Sequence, residues 1–203
     1  MPNTLVKNDK EIKKIDLDRI IESYTQAFQV RNSQDLVILL DTCSVKRIPL
    51  AEEGIPLFTY EKDYTINLTQ RIFNEMQKIP ELISKQTISF FYLIASGIIH
   101  PKVSNENLRL IQDTNFKAKG KEYIGIADAQ MISYSIDRAR KGNQTMIMSD
   151  DGHILRTVSH LRKKSQERDI LYKNIFAFGI KRIVENFPEY RDNSDLNLES
   201  AAA

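Results

Sequence analysis

The feature that most constrains the fold is an unbroken apolar run, "LVILL" at 36–40, that ends directly at Asp41. A strand with one face in water alternates apolar and polar residues, whereas an unbroken run of this length is typical of a strand buried on both faces. Strands of that kind occur in parallel sheets that helices cover on both sides. The run therefore predicts a central strand of an α/β domain, with a carboxylate at its carboxyl end.

Further short apolar runs alternate along the chain with stretches of helical periodicity. This alternation predicts a three-layer α/β/α fold with a central parallel sheet. The later strands are predicted at 64–68, 144–148 and 174–178. Helices are predicted as a short one after Asp41 and then at 69–79, 81–97, 104–112, 127–141, 152–163 and 180–187. The segment "KAKGKEYIG" at 117–125 is predicted to be a basic loop.

Composition and the residues that interrupt the helical and strand patterns divide the chain into three parts. We expect an N-terminal helical extension over 1–35, an α/β domain over 36–190 and a C-terminal tail over 191–203. The single cysteine, Cys43, excludes an internal disulfide framework and suits a reducing, cytoplasmic environment. The apolar stretch at 88–99 is too short to span a bilayer and is interpreted as part of a buried helix, so no membrane partner is expected. With a net charge of only +2, nucleic-acid binding would depend on a local basic patch.

Acidic residues recur at or near the predicted carboxyl ends of the strands, the edge at which parallel sheets bind ligands. The candidates are Asp41 after the first strand, Glu75 in the helix after the second, Asp128 at a helix start and Asp151 after the strand at 144–148. Carboxylates that meet raise one another's pKa values, and Mg²⁺ or Mn²⁺ offsets that repulsion because these ions prefer oxygen ligands. Such an ion also generates a nucleophile from water and stabilises a reacting phosphodiester. The set therefore predicts metal-dependent phosphodiester hydrolysis.

Each of these residues also has a simpler interpretation when it is taken alone. Asp128 and Asp151 suit helix N-caps, since aspartate accepts hydrogen bonds from the first free amides of a helix. Glu75 suits a solvated helical face. Only the occurrence of all four in this order favours a shared site over four unrelated structural roles.

This ordered set resembles the PIN domain family of metal-dependent nucleases. The matching motifs are "LLDTCSV" at 39–45, Glu75 after the second strand, "IADAQMISYSI" at 126–136, Ser149-Asp150-Asp151 as a Thr/Ser-x-Asp arrangement, and the closing "NIFAFGIKRIVENF". The resemblance covers about 36–187, and the chain differs from compact members of the family in its N-terminal helix and in the long stretch between 76 and 125. It implies that residues 36–190 form a PIN-like nuclease domain.

The resemblance also implies roles for particular residues. Catalysis and the binding of Mg²⁺ or Mn²⁺ would fall to Asp41, Glu75, Asp128 and Asp151. The hydroxyl groups of Thr42 and Ser149 would line the acidic pocket or contact a phosphate oxygen. In addition, Lys119 and Lys121 lie in the basic segment that precedes Asp128, and we expect them to contact substrate. The aromatic residues do not stand out in the sequence as a base-stacking surface.

The expected activity is that of an endoribonuclease that leaves a 3′-hydroxyl and a 5′-phosphate. Several alternatives stay open: a catalytically inactive RNA- or protein-binding module, the toxin of a toxin–antitoxin pair, a flap-type DNA nuclease, and assembly with a second copy of the chain. A thiol nucleophile formed by Cys43 with one of the histidines has no support from spacing. An aspartate-dependent phosphatase would need a second aspartate where Cys43 stands.

Overall fold

A computed structural model describes residues 36–47, 64–80, 97–119, 123–168 and 171–179. The expectations for the N-terminal extension at 1–35, for the helix at 180–187 and for the tail at 191–203 lie outside these residues. Within the described ranges, no helix combines the length and the apolar character needed to cross a bilayer.

The sheet contains five strands, which all run parallel in the order β3-β2-β1-β4-β5. The strands are β1 (Leu36–Leu40), β2 (Tyr64–Thr69), β3 (Gly97–Ile99), β4 (Thr145–Met148) and β5 (Ile175–Phe178). The helices are α1 (Thr42–Arg47), α2 (Gln70–Met76), α3 (Asn105–Lys119), α4 (Ile126–Arg140) and α5 (Gly152–Arg168), and a short 3₁₀ helix at Leu171–Asn174 precedes β5. The parallel sheet flanked by helices confirms the predicted three-layer α/β/α fold.

The central position of β1 explains its unbroken apolar sequence. All of its residues are buried, and it pairs with β2 on one side and with β4 on the other. Helix α4 also contributes to the core with Ile132, Ile136 and Ala139, which follow one helical face and are fully buried. The core therefore holds the carboxyl ends of β1 and β4 at one fixed edge of the sheet.

Strand β3 corrects one prediction. The sequence predicts a helix through residue 97, whereas Gly97–Ile99 forms an edge strand that pairs with β2. A three-residue strand at the end of an apolar run is too short to show a period of its own. Pairing with β2, which local sequence does not reveal, decides the conformation.

Helix α3 corrects a second prediction. It runs on to Lys119, whereas the sequence predicts that it ends at 112 and that residues 117–119 belong to a loop. The reason lies in polar residues that face the core side of the helix. Thr114 and Asn115 are fully buried, and they hydrogen-bond to Lys164 and His153 of α5. Because these contacts replace an apolar stripe, the helical period is lost from the hydrophobic pattern.

The cap of α2 provides a test of how this edge is built. Thr69 is buried and ends β2, and its Oγ1 accepts a hydrogen bond from the backbone N of Ile72 at 3.2 Å. Thr69→Ala leaves that amide unsatisfied, so we expect the free energy of unfolding to fall by about 1 kcal/mol. Thr69→Ser keeps the hydroxyl and should lose less. Urea denaturation followed by circular dichroism measures both, and equal losses would mean that the methyl group, rather than the cap, stabilises this position.

Candidate functional site

Asp41 lies at the carboxyl end of β1 and is only 7% exposed. Its Oδ1 accepts a hydrogen bond from the backbone N of Thr42 at 2.7 Å. Its Oδ2 accepts two more, from Ser149 Oγ at 2.6 Å and from Cys43 Sγ at 2.9 Å. These bonds compensate the carboxylate for the loss of water. A carboxylate oxygen has two acceptor positions, and Oδ1 uses one of them for a hydrogen bond from the described residues.

Glu75 is connected to Asp41 through Thr42. The Thr42 hydroxyl donates to Glu75 Oε2 at 2.9 Å, while the backbone N of the same residue donates to Asp41. The end of β1 and the helix α2 are thereby joined by one residue. The structure thus brings Glu75, which spacing alone predicts to belong to the site, next to the aspartate of the central strand. Its Oε1 accepts no hydrogen bond from the described part of the chain.

Ser149 makes the matching connection to Asp151. It follows β4, is fully buried, donates to Asp41 and accepts a hydrogen bond from the backbone N of Asp151 at 2.9 Å. Asp151 directly precedes α5, and its Oδ1 accepts from the backbone N of His153 at 2.5 Å. The capping role expected of an isolated aspartate is therefore fulfilled by one oxygen atom. Within the described ranges Oδ2 has no hydrogen-bond partner.

Asp128 lies in the first turn of α4 and is half-buried. It is not the N-cap, which is Gly125, so the simple capping interpretation does not account for it. Its carboxyl group accepts no hydrogen bond from the residues that the structure describes. Burial is the main reason that the pKa of Asp128 is raised from 3.8 to about 7, and the negative charges of Asp41, Asp151 and Glu75 raise it further.

The four predicted carboxylates therefore share one electrostatic environment at the carboxyl edge of the sheet. They do not form a ready-made ligand cage, because no three histidine, cysteine, aspartate or glutamate side chains of the described residues are grouped so that they could hold a metal ion. The two observations concern different distances. Charges act on one another over up to about 10 Å, whereas a bond from Mg²⁺ to oxygen is about 2.0–2.1 Å long.

The donor atoms at this edge fit a hard cation that keeps part of its water shell. Mg²⁺ is usually bound through one or two carboxylates and several waters, so it does not require three converging side chains. Counting only hydrogen bonds from the described residues, each of the four carboxyl groups has at least one oxygen with unused acceptor capacity. The set contains only oxygen donors, which suits Mg²⁺ or Mn²⁺ rather than a softer metal.

Cys43 is a hydrogen-bond donor at this edge rather than a nucleophile. Burial, the hydrogen bond to Asp41 and the charge of that carboxylate raise the pKa of the thiol from 9.0 to about 11. The thiol is therefore protonated at neutral pH. No histidine of the described residues hydrogen-bonds to its sulfur, so the described structure does not support a catalytic cysteine–histidine pair.

The remaining predicted contacts have different outcomes. Thr42 and Ser149 lie at the edge as expected, where their hydroxyls orient carboxylates. Lys119 is the last residue of α3, and Lys121 lies outside the described residues.

Comparisons of the chain with protein-family models, with curated proteins and with solved structures found no match.

The raised pKa of Asp128 predicts how stability depends on pH in the absence of divalent ions. The native state binds the proton of Asp128 more tightly than the unfolded chain does. The contribution of Asp128 to the free energy of unfolding therefore falls as pH rises from about 4 to about 7. Asp128→Asn removes that loss, so at pH 8 in EDTA the variant should be more stable by about 1–2 kcal/mol after allowance for partial exposure. For a chain of this size that is roughly 2–8 °C in Tm.

Thermal unfolding of wild type and variant at pH 8 and at pH 4 measures this effect, and the difference should disappear at the lower pH. Asp137→Asn is the matched control, because Asp137 lies on the same helix and bonds to Asn107 and Arg140. That variant should gain no stability. An Asp128→Asn protein that is less stable than wild type at pH 8 would contradict the electrostatic interpretation.

Proposed function

We propose that this protein is a metal-dependent nuclease that hydrolyses RNA, with Mg²⁺ or Mn²⁺ bound by Asp41, Glu75, Asp128 and Asp151. The observation that carries the proposal is the set of hydrogen bonds through Thr42 and Ser149 that connects Asp41 with Glu75 and with the backbone of Asp151. Besides burial, the negative charges of these three residues raise the pKa of Asp128. Carboxylates held together against their repulsion are typical of a site for a divalent cation. The motif resemblance to PIN domains supports the same activity.

Hydrogen bonds from Ser149 and Thr42 position three of the four residues proposed to bind the ion. Asp41 and Asp151 are fixed by hydrogen bonds through Ser149, and Glu75 is fixed through Thr42. Asp128 has no such bond from the described residues. A bound ion would lower the pKa of a water molecule and stabilise negative charge on the phosphodiester. In the hydrolysis the water oxygen would form a bond to phosphorus and the bond from phosphorus to the 3′ oxygen would break. A proton from the water would pass to the 3′ oxygen, which leaves a 3′-hydroxyl and a 5′-phosphate.

A binding module is the second candidate. It is favoured by the absence of a ready-made group of metal-binding side chains among the described residues. In that case the same edge would bind RNA or a protein without cutting. Four further points stay predictions from the sequence: action on DNA, an antitoxin or other protein partner, assembly with a second copy of the chain, and a cytoplasmic location.

The test of the nuclease proposal combines cleavage with metal binding. Purified protein should cut RNA in the presence of Mn²⁺, and EDTA should abolish the reaction. Changes to groups that merely orient metal ligands cost about 10–100-fold, so Asp41→Asn and Asp128→Asn should each reduce the rate by about 100-fold or more. Calorimetry should show Mn²⁺ binding to wild type and weaker binding to both variants. Asp137→Asn should cut at the wild-type rate.

The outcomes separate the candidates. Full activity in both variants would show that the site is assigned to the wrong residues. RNA binding without Mn²⁺ binding or cleavage would favour the module. Comparison of single-stranded RNA with branched DNA, and analysis of the product ends, distinguishes the endoribonuclease from a flap-type DNA nuclease.

Ser149 and Cys43 offer a second, matched test because both donate to the same oxygen of Asp41. Ser149→Ala removes that donor and also the acceptor for the Asp151 amide, so we expect kcat to fall by about 10–100-fold. Cys43→Ser replaces one protonated donor by another and should keep most of the activity. If Cys43→Ser were inactive while Ser149→Ala cut normally, thiol chemistry would have to be reconsidered.

A further inference from the structure

Large apolar side chains are exposed in one small region of the described chain, on either side of the connection between α3 and α4. Phe116 is 57% exposed, Tyr123 is 82% exposed and Ile126 is 44% exposed. Transfer of an aromatic ring from water to an apolar environment is favourable. Two exposed rings in one region are therefore suited to bind a ligand with flat apolar faces.

The contacts of Gln112 bring the backbone next to Tyr123 close to the part of α3 that carries Phe116. The side-chain amide of Gln112 on α3 contacts both backbone groups of Ile124, with Oε1 accepting from its N at 3.4 Å and Nε2 donating to its O at 3.5 Å. Tyr123 is the neighbour of Ile124 in the chain. Phe116 lies four residues after Gln112 and thus on the same helical face. The two rings therefore border a common stretch of surface.

That surface adjoins the acidic edge at two points. Asn115, next to Phe116 in the chain, contacts His153 through Oδ1 and Nδ1 at 3.2 Å, and His153 lies two residues after Asp151. On the other side, Gly125 lies so close to Asp128 that a Cβ there would be 3.4 Å from Oδ2. The aromatic surface, which is formed by Phe116 and Tyr123, therefore lies near the starts of α4 and α5, where Asp128 and Asp151 are found.

Exposed lysines occur beside Phe116 and in a segment that contacts α4. Lys117 follows Phe116 and is exposed. Lys102 is also exposed, in the segment that follows β3, and this segment contacts α4 through a hydrogen bond from Gln130 Nε2 to the Pro101 oxygen at 3.4 Å. Neither lysine forms an ion pair with another residue in the described part of the chain. An exposed cation beside an exposed ring suits a ligand that carries both phosphates and flat bases.

We propose that Phe116 and Tyr123 stack unpaired bases of a single-stranded nucleic acid whose scissile phosphate lies at the acidic edge. The proposal rests on the proposed function for the position of that phosphate. It deepens it by naming the substrate class. Base stacking on an aromatic side chain contributes about tenfold or more in affinity for each base and tolerates any sequence. The bases of a duplex are already stacked on one another, so a duplex cannot use these rings.

The first experiment measures affinity. A fluorescent strand of about 12 nucleotides, a length within the usual range for single-strand sites, is titrated with full-length protein in Ca²⁺. The same strand is also tested as DNA and as a perfect duplex. Wild type should prefer either single strand to the duplex. Replacing both rings by leucine, in Phe116→Leu with Tyr123→Leu, keeps apolar bulk but removes the stacking faces, and should weaken single-strand binding by about 10–100-fold.

Two further variants control for the ring and for its position. Tyr123→Phe keeps the aromatic face and should bind almost as wild type does. Tyr134→Leu removes a half-buried ring that lies two turns into α4, beside Arg138, and should leave binding unchanged. Lys117→Ala should weaken binding of all single strands alike and reduce its dependence on salt, because a phosphate contact carries no base preference.

The second experiment detects the stacked base directly. The chain contains no tryptophan, so Tyr123→Trp introduces a single indole. Its fluorescence should be quenched by single-stranded RNA and DNA but not by the duplex. Tyr134→Trp should show no quenching with either.

Equal affinities of wild type and of the double leucine variant for single strands would overturn the proposal. Quenching of Tyr123→Trp by duplex as strongly as by single strands would overturn it as well. A change in sedimentation of the double leucine variant, with nucleic-acid binding unaltered, would instead identify the surface as a contact between copies. Ring-dependent binding by a protein that neither cleaves nor binds Mn²⁺ would support the stacking surface and reject the nuclease proposal.

Discussion

A buried carboxylate at the end of the central strand is the constraint on which the arrangement of this protein depends. Burial of this carboxylate requires hydrogen-bond donors, and the chain supplies them from three residues of two separate segments, Thr42, Cys43 and Ser149. Thr42 also donates to the Glu75 carboxylate, and Ser149 also accepts from the backbone N of Asp151. The hydrogen bonds around Asp41 thus also position Glu75 and the backbone of Asp151 at the acidic edge.

Repulsion between the carboxylates at this edge is not fully offset by hydrogen bonds from the described residues. Hydrogen bonds compensate Asp41 for its burial, whereas Asp128 has no hydrogen bond within the described ranges and its pKa is raised to about 7. A group that lowers stability when it is charged is expected where function requires it, since a structural aspartate would have acquired a partner. A cation or a proton at this edge would relieve the repulsion.

The sequence allowed the sheet and the acidic set to be predicted because both depend on local patterns. The run at 36–40 predicts a central strand, and strand ends in a parallel sheet converge without further information. Three features were not predictable in this way. The strand β3 depends on its pairing with β2, the extension of α3 on polar contacts with α5, and the aromatic surface on the exposure of Phe116 and Tyr123. Exposure of a ring is decided by what packs around it, which no single segment reveals.

The two oxygen atoms of Asp151 serve different ends, since one satisfies an amide at the start of α5 while the other faces no donor among the described residues. Asparagine caps helices about as well as aspartate does. An amide at this position would keep the helix start intact and give up only the negative charge. The structural and the proposed chemical role of Asp151 are therefore separable at a single atom, and a descendant of this chain could lose the proposed hydrolysis by one substitution while it keeps the same fold.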